Sequence, residues 1–346
     1  MLTLGIETSC DETSCAVLRN GDKILSNVVS SSFAKHRPFG GVVPEIASRH
    51  CLEQIDYVFS GALREAKVSG SDLDLIAVTY GPGLVGSLLV GLSFAKALAY
   101  QLRIPFVGVN HLEGHLAANF IGIRPAPDEF VGLTVSGGHT ELTYHRKGSV
   151  EILGSTVDDA VGEAYDKTAK LLGLGYPGGP VIDRLAQKGN PKVFRFTKPK
   201  QDGRFDFSFS GIKTAVRDLV GGVTDSARLT SQPGSGSNAS FLVDLCASFQ
   251  ETVAGWLVEK TIDACRAKRV KDVVVGGGVS ANSRLRSLLN EEAKPYGIHV
   301  GFPPLSLTVD NAAMIARRGW ELHRQGKHSD WKISANPNLK IGGTSC

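Results

Sequence analysis

The sequence has no apolar run of about 18 residues, so no membrane span is expected from it. Its first residues hold Glu7, Asp11 and Glu12 and no basic stretch, so no signal or transit peptide is expected. Cysteine is scarce: Cys10, Cys15, Cys51, Cys246, Cys265 and Cys346 form no CxxC pair and no regular framework. That excludes a disulfide scaffold and suits reduced thiols in a cytoplasmic protein. Net charge is only +4 over 346 residues, so the distribution of charge informs and its total does not. Glycine and proline together fall short of the ~25–30% that marks a low-complexity chain. What is abundant is glycine, 40 of 346 residues, against a usual ~7%. A chain of this length suggests two domains or one large one. It can bury about three quarters of its unfolded surface. The glycines therefore belong inside a fold, at tight turns and where backbone approaches a ligand.

Periodicity places the elements. Leu2–Thr8, Ser14–Leu18 and Lys23–Ser30 predict a three-strand meander, with Asn20-Gly21 as a hairpin signal. A helix follows from Val43 to about Lys67, a buried strand over Leu73–Tyr80, a helix over about Leu84–Leu102 and a strand over Pro105–Val109. His111–Ile121 reads as helical. A second meander covers Val131–Ser136, Thr140–Arg146 and Val150–Ser155. Helices then fit Ala160–Leu172, Val181–Gln187, Gly211–Val220 and Ala239–Lys268, followed by a strand at Lys271–Val275 and helices at Ala281–Ala293 and about Asp310–His323. The same order of elements thus recurs while the residues do not repeat. This describes the sugar kinase, Hsp70 and actin (ASKHA) superfold. It is an α/β fold of two subdomains with a duplicated RNase H-like core and a nucleotide in an interdomain cleft. Residues 1–128 form the expected first subdomain, with the helix at about 310–325 packing back on it. Residues 129–326 form the second, with a flexible insertion at 221–240, and 327–346 a loose polar tail.

Several stretches have the residue types for chemistry. His111 and His115 are four apart, on one helix face, the spacing two imidazoles need to share a metal. Glu113 lies two residues after the first histidine, roughly 200° round the helix, so a zincin protease arrangement is disfavoured. Asp310 is a candidate third ligand, although an aspartate at a helix start is also an ordinary cap. Thr134, Val135, Ser136, Gly137 and Gly138 end a strand with a hydroxyl and unobstructed N–H groups, suited to a phosphate or carboxylate. Asp11 and Glu12 make the first hairpin acidic, which suits a metal, an amine or general-base work better than a phosphate. Asp166, Gly179 and Asp183, in a run with four glycines before a helix, suit a nucleotide's sugar and phosphate. Asn282 follows a Gly276-Gly277-Gly278 strand-to-helix turn of the adenosine-binding kind. Arg184–Arg217 carries nine Lys/Arg, among them Lys192, Arg195, Lys198 and Arg204, together with Lys200, and against them only Asp202 and Asp206. Phe194, Phe196, Phe205, Phe207 and Phe209 are interleaved. Such a stretch is either an RNA grip or a solvated basic face over a phenylalanine core.

Nine segments together resemble one family. They are GIETSCDET (Gly5–Thr13), FGGVVPEIASRHC (Phe39–Cys51), YGPGLVGSLLVGL (Tyr80–Leu92), VNHLEGHLAA (Val109–Ala118), VSGGHTEL (Val135–Leu142), GEAYDKTAKLLGLGYPGGPVID (Gly162–Asp183), FSFSGIKTAV (Phe207–Val216), GGGVSANSRLR (Gly276–Arg286) and TVDNAAMIA (Thr308–Ala316). The family is the tRNA adenosine threonylcarbamoyltransferases of the bacterial TsaD (Gcp) type. The resemblance implies transfer of a threonylcarbamoyl group from threonylcarbamoyl-AMP to the exocyclic amine of the adenosine 3′ of the anticodon. The tRNAs are those reading codons that begin with A. It implies one divalent metal, Fe2+ first and Zn2+ second, on His111, His115 and Asp310. It places substrate on Thr134–Gly138 and an ATP-, ADP- or AMP-like nucleotide on Asp166, Gly179, Asp183 and Asn282. Partners implied are tRNA, a TsaB-like paralogue and a TsaE-like P-loop ATPase. The competing expectations are a sugar kinase-like or Hsp70-like ATPase of the same superfold and, more remotely, a metallopeptidase.

Overall fold

Asn20 and Gly21 take φ of 53° and 72°, the left-handed pair that turns β2 (Glu12–Arg19) back as β3 (Lys23–Ser31). The computed structural model describes residues 1–122, 126–198, 203–222 and 236–343. β1 (Leu2–Glu7) pairs antiparallel with β2 and parallel with β4 (Leu75–Gly81), and β4 pairs with β5 (Phe106–Asn110), giving the order β3-β2-β1-β4-β5. Every residue of β4 and β5 is buried, as parallel strands covered on both faces require. A short helix α1 (Phe33–His36) precedes α2 (Pro44–Ala66) and α3 (Val85–Leu102). α2 and α3 close one face, packing Ile55, Val58, Leu92 and Ala95 on Leu4, Ile6, Ile76 and Val78. After β5 comes α4 (His111–Ala117). The other face is closed by the helix Ala312–Arg324, whose Ala312–Ala316 run meets Ala16, Leu18, Leu75, Ala77, Val107 and Val109. Gly5 permits that contact, because a Cβ there would lie 2.1 Å from the Ala312 carbonyl oxygen.

The second sheet repeats the first. β6 (Glu129–Val135), β7 (Thr140–Arg146) and β8 (Ser149–Ser155) form the meander. Helices α5 (Val161–Leu171), α6 (Gly178–Ala186), α7 (Ser210–Gly222) and α8 (Gly236–Lys268) follow. Then come β9 (Asp272–Gly276), α9 (Ser283–Ala293) and β10 (His299–Gly301). The order β8-β7-β6-β9-β10 matches that of the first sheet. β10 completes the duplication and is absent from the sequence expectation, three residues being too few to show a period of two.

The chain divides into two units, Met1–Pro127 with Pro303–Cys346, and Asp128–Phe302. The second unit therefore ends at Phe302 and not near residue 326. Residues 327–343, expected as a loose tail, are packed on the first unit. Asn336 N donates to the Tyr80 carbonyl (2.8 Å), Lys96 Nζ to that of Trp331 (2.8 Å), and Leu339 and Ile341 are buried. The anchoring residues are scattered among polar ones, so no pattern announces them. The expected 221–240 insertion falls mainly outside the described residues, and its last residues open α8. Two helices, Val85–Leu102 and Ser240–Lys268, are long and apolar enough to cross a membrane by length and composition, though each is interrupted by at least one charged residue and neither is a continuous apolar run. Leu245, Phe249, Val253 and Leu257 of the second lie in the core of its unit.

Candidate metal centre and nucleotide turns

β5 delivers Asn110, whose Oδ1 accepts from Leu112 N (2.9 Å) and Glu113 N (3.4 Å) and so caps α4. His111 and His115 follow on one face, ring centroids 4.6 Å apart. Asp310 arrives from the loop before the last helix. That helix is capped by Asn311, whose Oδ1 accepts from Met314 N (3.1 Å), so the Asp310 carboxylate is not the cap. Its Oδ1 stands 3.1 Å from His115 Nε2 and 3.6 Å from His111 Nε2. One ligand atom from each of the three residues lies within 4.8 Å of the others. Bonds of about 2.1 Å at octahedral or tetrahedral angles set ligand atoms roughly 3.0–3.4 Å apart.

The donor set fits a divalent cation. His115 is fully buried; its Nε2 faces Asp310 Oδ1 at 3.1 Å, and among the described residues its Nδ1 has no hydrogen-bond partner. Leaving a buried polar group so costs about 1–3 kcal/mol, a cost a metal bond removes. His111 Nδ1 is 3.1 Å from both Glu7 Oε2 and Ser9 Oγ. This leaves Nε2 for metal in the carboxylate–histidine arrangement that orients metal-bound imidazoles. Glu7 is itself held by Ser9 N (2.6 Å) and Thr79 Oγ1. Two imidazoles and a carboxylate with coordination positions to spare suit Fe2+ or Zn2+, and the Asp310 side chain keeps 20% exposure on that side. Burial alone would lower the pKa of His111, but Asp310 and Glu7 outweigh it and push it up to about 9. Burial would raise Glu7, yet the adjacent His111 holds it below the usual carboxylate range. Glu113 turns elsewhere: its Oε2 accepts from Arg318 Nε (2.9 Å) and its Oε1 from Gly342 N (3.1 Å). Neither Glu7 nor Ser9 figures in the sequence reading as a support of the metal residues. Their only local signal is the Glu-Thr-Ser at the end of β1.

The acidic turn is pressed into place by Gly83 of the β4–α3 loop and Gly91 of α3. A Cβ on Gly83 would lie 2.4 Å from the Ser9 carbonyl, and one on Gly91 2.2 Å from Thr8 Oγ1. Cys10, Asp11 and Glu12 are half-buried here. Loss of water, then Asp310 and Asp11, push Glu12 up to about 10. A carboxyl so raised gives up its proton less readily than a free one. The Cys10 thiol is pushed well up by loss of water and by Asp11, so it is no thiolate nucleophile.

In the second unit, β6 ends at Val135. Ser136 N donates to the His139 carbonyl (2.9 Å), and its Oγ accepts from His139 N (3.1 Å). The N–H groups of Gly137 and Gly138 donate no hydrogen bond among the described residues, and a Cβ on either would meet nothing within 4 Å. Gly162 packs against this turn. Asp166 Oδ1 accepts from Gly178 N (2.7 Å), and burial raises its pKa. Gly179 opens to free space. Asp183 Oδ1 accepts from Gln250 Nε2 (2.9 Å) and Ser283 Oγ (2.7 Å). Asn282 caps α9 through Leu285 N (2.9 Å) and donates to Gln250 Oε1 (2.8 Å). Asp183, Gln250, Asn282 and Ser283 thus form one polar network. Gln250 and Ser283 are its members the sequence does not announce.

The basic stretch resolves differently from its RNA-grip expectation. Phe207 and Phe209 are fully buried in the core, and Phe194, Phe196 and Phe205 pack on it. Burying such a ring contributes about 1.5–3 kcal/mol, as much as stacking a base would return, so these rings stay inside. Lys192, Arg195, Lys198 and Arg204 are exposed, and Lys198 pairs with Glu259. Lys200 lies outside the described residues.

Comparison with known proteins gives a consistent answer. A family model described as TsaD, tRNA N6-adenosine threonylcarbamoyltransferase, matches residues 23–317. Proteins named tRNA N6-adenosine threonylcarbamoyltransferase are 49% identical in Thermosipho melanesiensis (99% of this chain, 100% of that one) and 49% in Clostridioides difficile (99% and 98%). The Geobacillus thermodenitrificans protein of that name is 50% identical over 98% of this chain and 96% of its own. Among solved structures, HypF of T. kodakarensis aligns with a TM-score of 0.61 at 15% identity, covering 94% of this chain and 48% of that one. Component A of the Acidaminococcus fermentans (R)-2-hydroxyglutaryl-CoA dehydratase aligns at 0.53 and 16%, covering 94% and 100%. These two share the ASKHA fold and inform on fold alone. By family match and near-full-length identity, the chain belongs to the TsaD family of tRNA N6-adenosine threonylcarbamoyltransferases, transferases that modify tRNA.

Proposed function

We propose that this chain moves the threonylcarbamoyl group of threonylcarbamoyl-AMP onto N6 of the adenosine 3′ of the anticodon, in tRNAs reading codons that begin with A. The observation that carries this reading is the His111, His115 and Asp310 cluster, with the Asp310 carboxylate between the two imidazoles and with Glu113 turned away. A donor of this kind is a mixed anhydride, so AMP leaves readily. The difficulty is to hold a weakly nucleophilic RNA amine against the carbamoyl carbon. The residues His111, His115 and Asp310 would hold Fe2+, with Zn2+ as the second choice. Such a cation supplies Lewis-acid polarisation of a carbonyl or a grip on the threonyl carboxylate. Glu7 and Ser9 orient His111. Thr134, Val135, Ser136, Gly137 and Gly138 are assigned to substrate. Because Ser136 N is already bonded, Gly137 and Gly138 are the N–H donors for the developing oxyanion. Asp166, Gly179, Asp183 and Asn282 are assigned to the nucleotide. Asp11 and Glu12 are the candidate bases for the amine proton, and the high value of Glu12 favours Asp11.

Lys192, Arg195, Lys198, Lys200 and Arg204 are assigned to tRNA by charge alone. A TsaB-like paralogue and a TsaE-like ATPase are the expected partners. The reading places the chain in the cytoplasm. Mixing the purified protein with threonylcarbamoyl-AMP and unmodified tRNA, with and without those partners, should yield the modified nucleoside. ATP turnover by the chain alone, with no modified nucleoside under any condition, would favour an ATPase of the same superfold. His111→Ala should lose both bound metal and transfer, and full retention of both would remove the metal assignment.

A further inference from the structure

A groove of about 340 Å3 between α5 and α7, within the second unit, takes no part in the assignments above. It is lined by Lys167, Lys170, Leu171, Lys213, Thr214 and Arg217. Four of these six are cations and none is an acid. Lys167 and Lys170 are three apart on α5, and Lys213 and Arg217 four apart on α7, so each helix offers one basic face. The inner lysines are held from the rim: Asp159 Oδ1 is 2.6 Å from Lys167 Nζ, and its Oδ2 is 3.8 Å from Lys213 Nζ. Glu163 adds a 2.8 Å pair to Lys167. The outer cations are less engaged. Among the described residues Arg217 pairs only with its chain neighbour Asp218, both side chains over 60% exposed, a kind of pair worth little. Lys170 forms no ion pair among the described residues, although it is exposed. The groove is also braced. Asp158 accepts from Phe209 N and Ser210 Oγ, both at 2.7 Å, and so ties the start of α7 to the β8–α5 turn.

We propose that this groove is a docking site for the phosphodiester backbone of tRNA, with Lys170 and Arg217 pairing phosphate oxygens and Thr214 donating its hydroxyl. The proposal rests on the reading of the chain as an enzyme that acts on tRNA. Charge and shape favour RNA over a protein partner. A phosphate needs compact cations around a shallow groove, whereas a protein partner needs buried aromatic or aliphatic anchors. Leu171 is the one apolar residue in the lining. Two members, Lys213 and Arg217, come from the basic stretch Arg184–Arg217. The phosphate contacts proposed for that stretch thus extend from its 192–204 part to its helical end.

The test is the affinity for unmodified tRNA as a function of salt, for the full chain and for a Lys170→Glu/Arg217→Glu variant. Melting temperature and metal content serve as checks of folding, and Lys294→Glu, a charge reversal outside both the groove and the basic stretch, serves as control. The expected result is a Kd raised about tenfold or more, with the slope of log K against log salt flattened by about 1–2, and a change under about twofold in the control. Should the reversal not fold, Lys170→Gln/Arg217→Gln should show the same direction with a smaller loss. A folded variant with unchanged Kd and salt slope overturns the groove. So does one that keeps tRNA affinity but loses a protein partner, which would make this a protein surface. A parent chain that modifies tRNA while the variant binds it equally well fails the groove alone. A parent chain with no measurable tRNA binding, alone or with partners, fails the underlying reading.

Discussion

Gly162 and Gly137 make opposite demands at the same turn. A Cβ on Gly162 would lie 2.6 Å from the Ser136 carbonyl oxygen and 2.8 Å from Gly137 Cα, whereas one on Gly137 or Gly138 meets nothing within 4 Å. Gly162→Ala should therefore cost about 1–3 kcal/mol of stability through overpacking, read from thermal melts. Gly137→Ala and Gly138→Ala should stay within about 0.5 kcal/mol of the parent. If they also lose transfer activity, bare backbone at that turn is needed by substrate and not by the fold. Full activity in both would remove the turn from the site. The second residue-scale expectation concerns His111. Its pKa is raised from 6.5 to about 9 in the metal-free chain. Pairing with Asp310 and Glu7 thus stabilises the metal-free fold fully below pH 6.5, and that contribution fades as pH rises through about 9. A metal ligand must shed its proton. Apparent metal affinity should accordingly climb about tenfold per pH unit towards pH 9 and then level, with about one proton released. Calorimetry in buffers of different ionisation enthalpy measures this, and a flat affinity between pH 6.5 and 8.5 would contradict it.

At the scale of elements, α4 is held through its first turn. Asn110 caps it, and the Asn110 Nδ2 also donates to the Lys340 carbonyl (3.0 Å), while Glu113 accepts from Gly342 N. Asn110→Ala should cost about 1–2 kcal/mol and weaken metal binding several-fold, since both imidazoles ride on this helix. Unchanged metal affinity in a destabilised variant would show that the cap serves the fold alone. What could be read in the sequence follows the range of each interaction. The longer helices and the strands of both meanders show up through local periodicity, and the His111/His115 pair through local spacing. The four-residue α1 and three-residue β10 are too short to carry a period. Asp310 is a candidate from its motif, but that Asn311 takes over the capping depends on backbone geometry at one turn. Glu7 reaches His111 from β1, two strands away in the same sheet, and Gln250 reaches Asp183 and Asn282 from α8; neither contact leaves a trace in spacing. Phe205, Phe207 and Phe209 alternate as a surface strand would, yet the segment runs across the core, so the expected base-stacking rings are packing rings.

At the scale of the whole molecule, the first unit is discontinuous and the residues proposed to hold the metal are divided between its two pieces. Metal should stabilise that unit by about 2.7 kcal/mol when supplied at a hundred times its Kd. Chelation should then speed amide exchange in α4 and the 307–311 loop and leave α8 and β9 unchanged. Faster exchange spread evenly over both units would show that the cation is not confined to the first. The division also sets an order of events on the ribosome. His111 and His115 emerge before any of the second unit, and Asp310 after all of it. At roughly 5–20 residues per second, the growing chain waits on the order of ten seconds or more between them. Throughout that interval Ala16, Leu18, Leu75, Ala77, Val107 and Val109 lack the helix Ala312–Arg324 that will shield them. Newly made chains thus pass through a stage that has both histidines but no metal centre. At that stage one bare sheet face is the surface on which a nascent-chain chaperone would act.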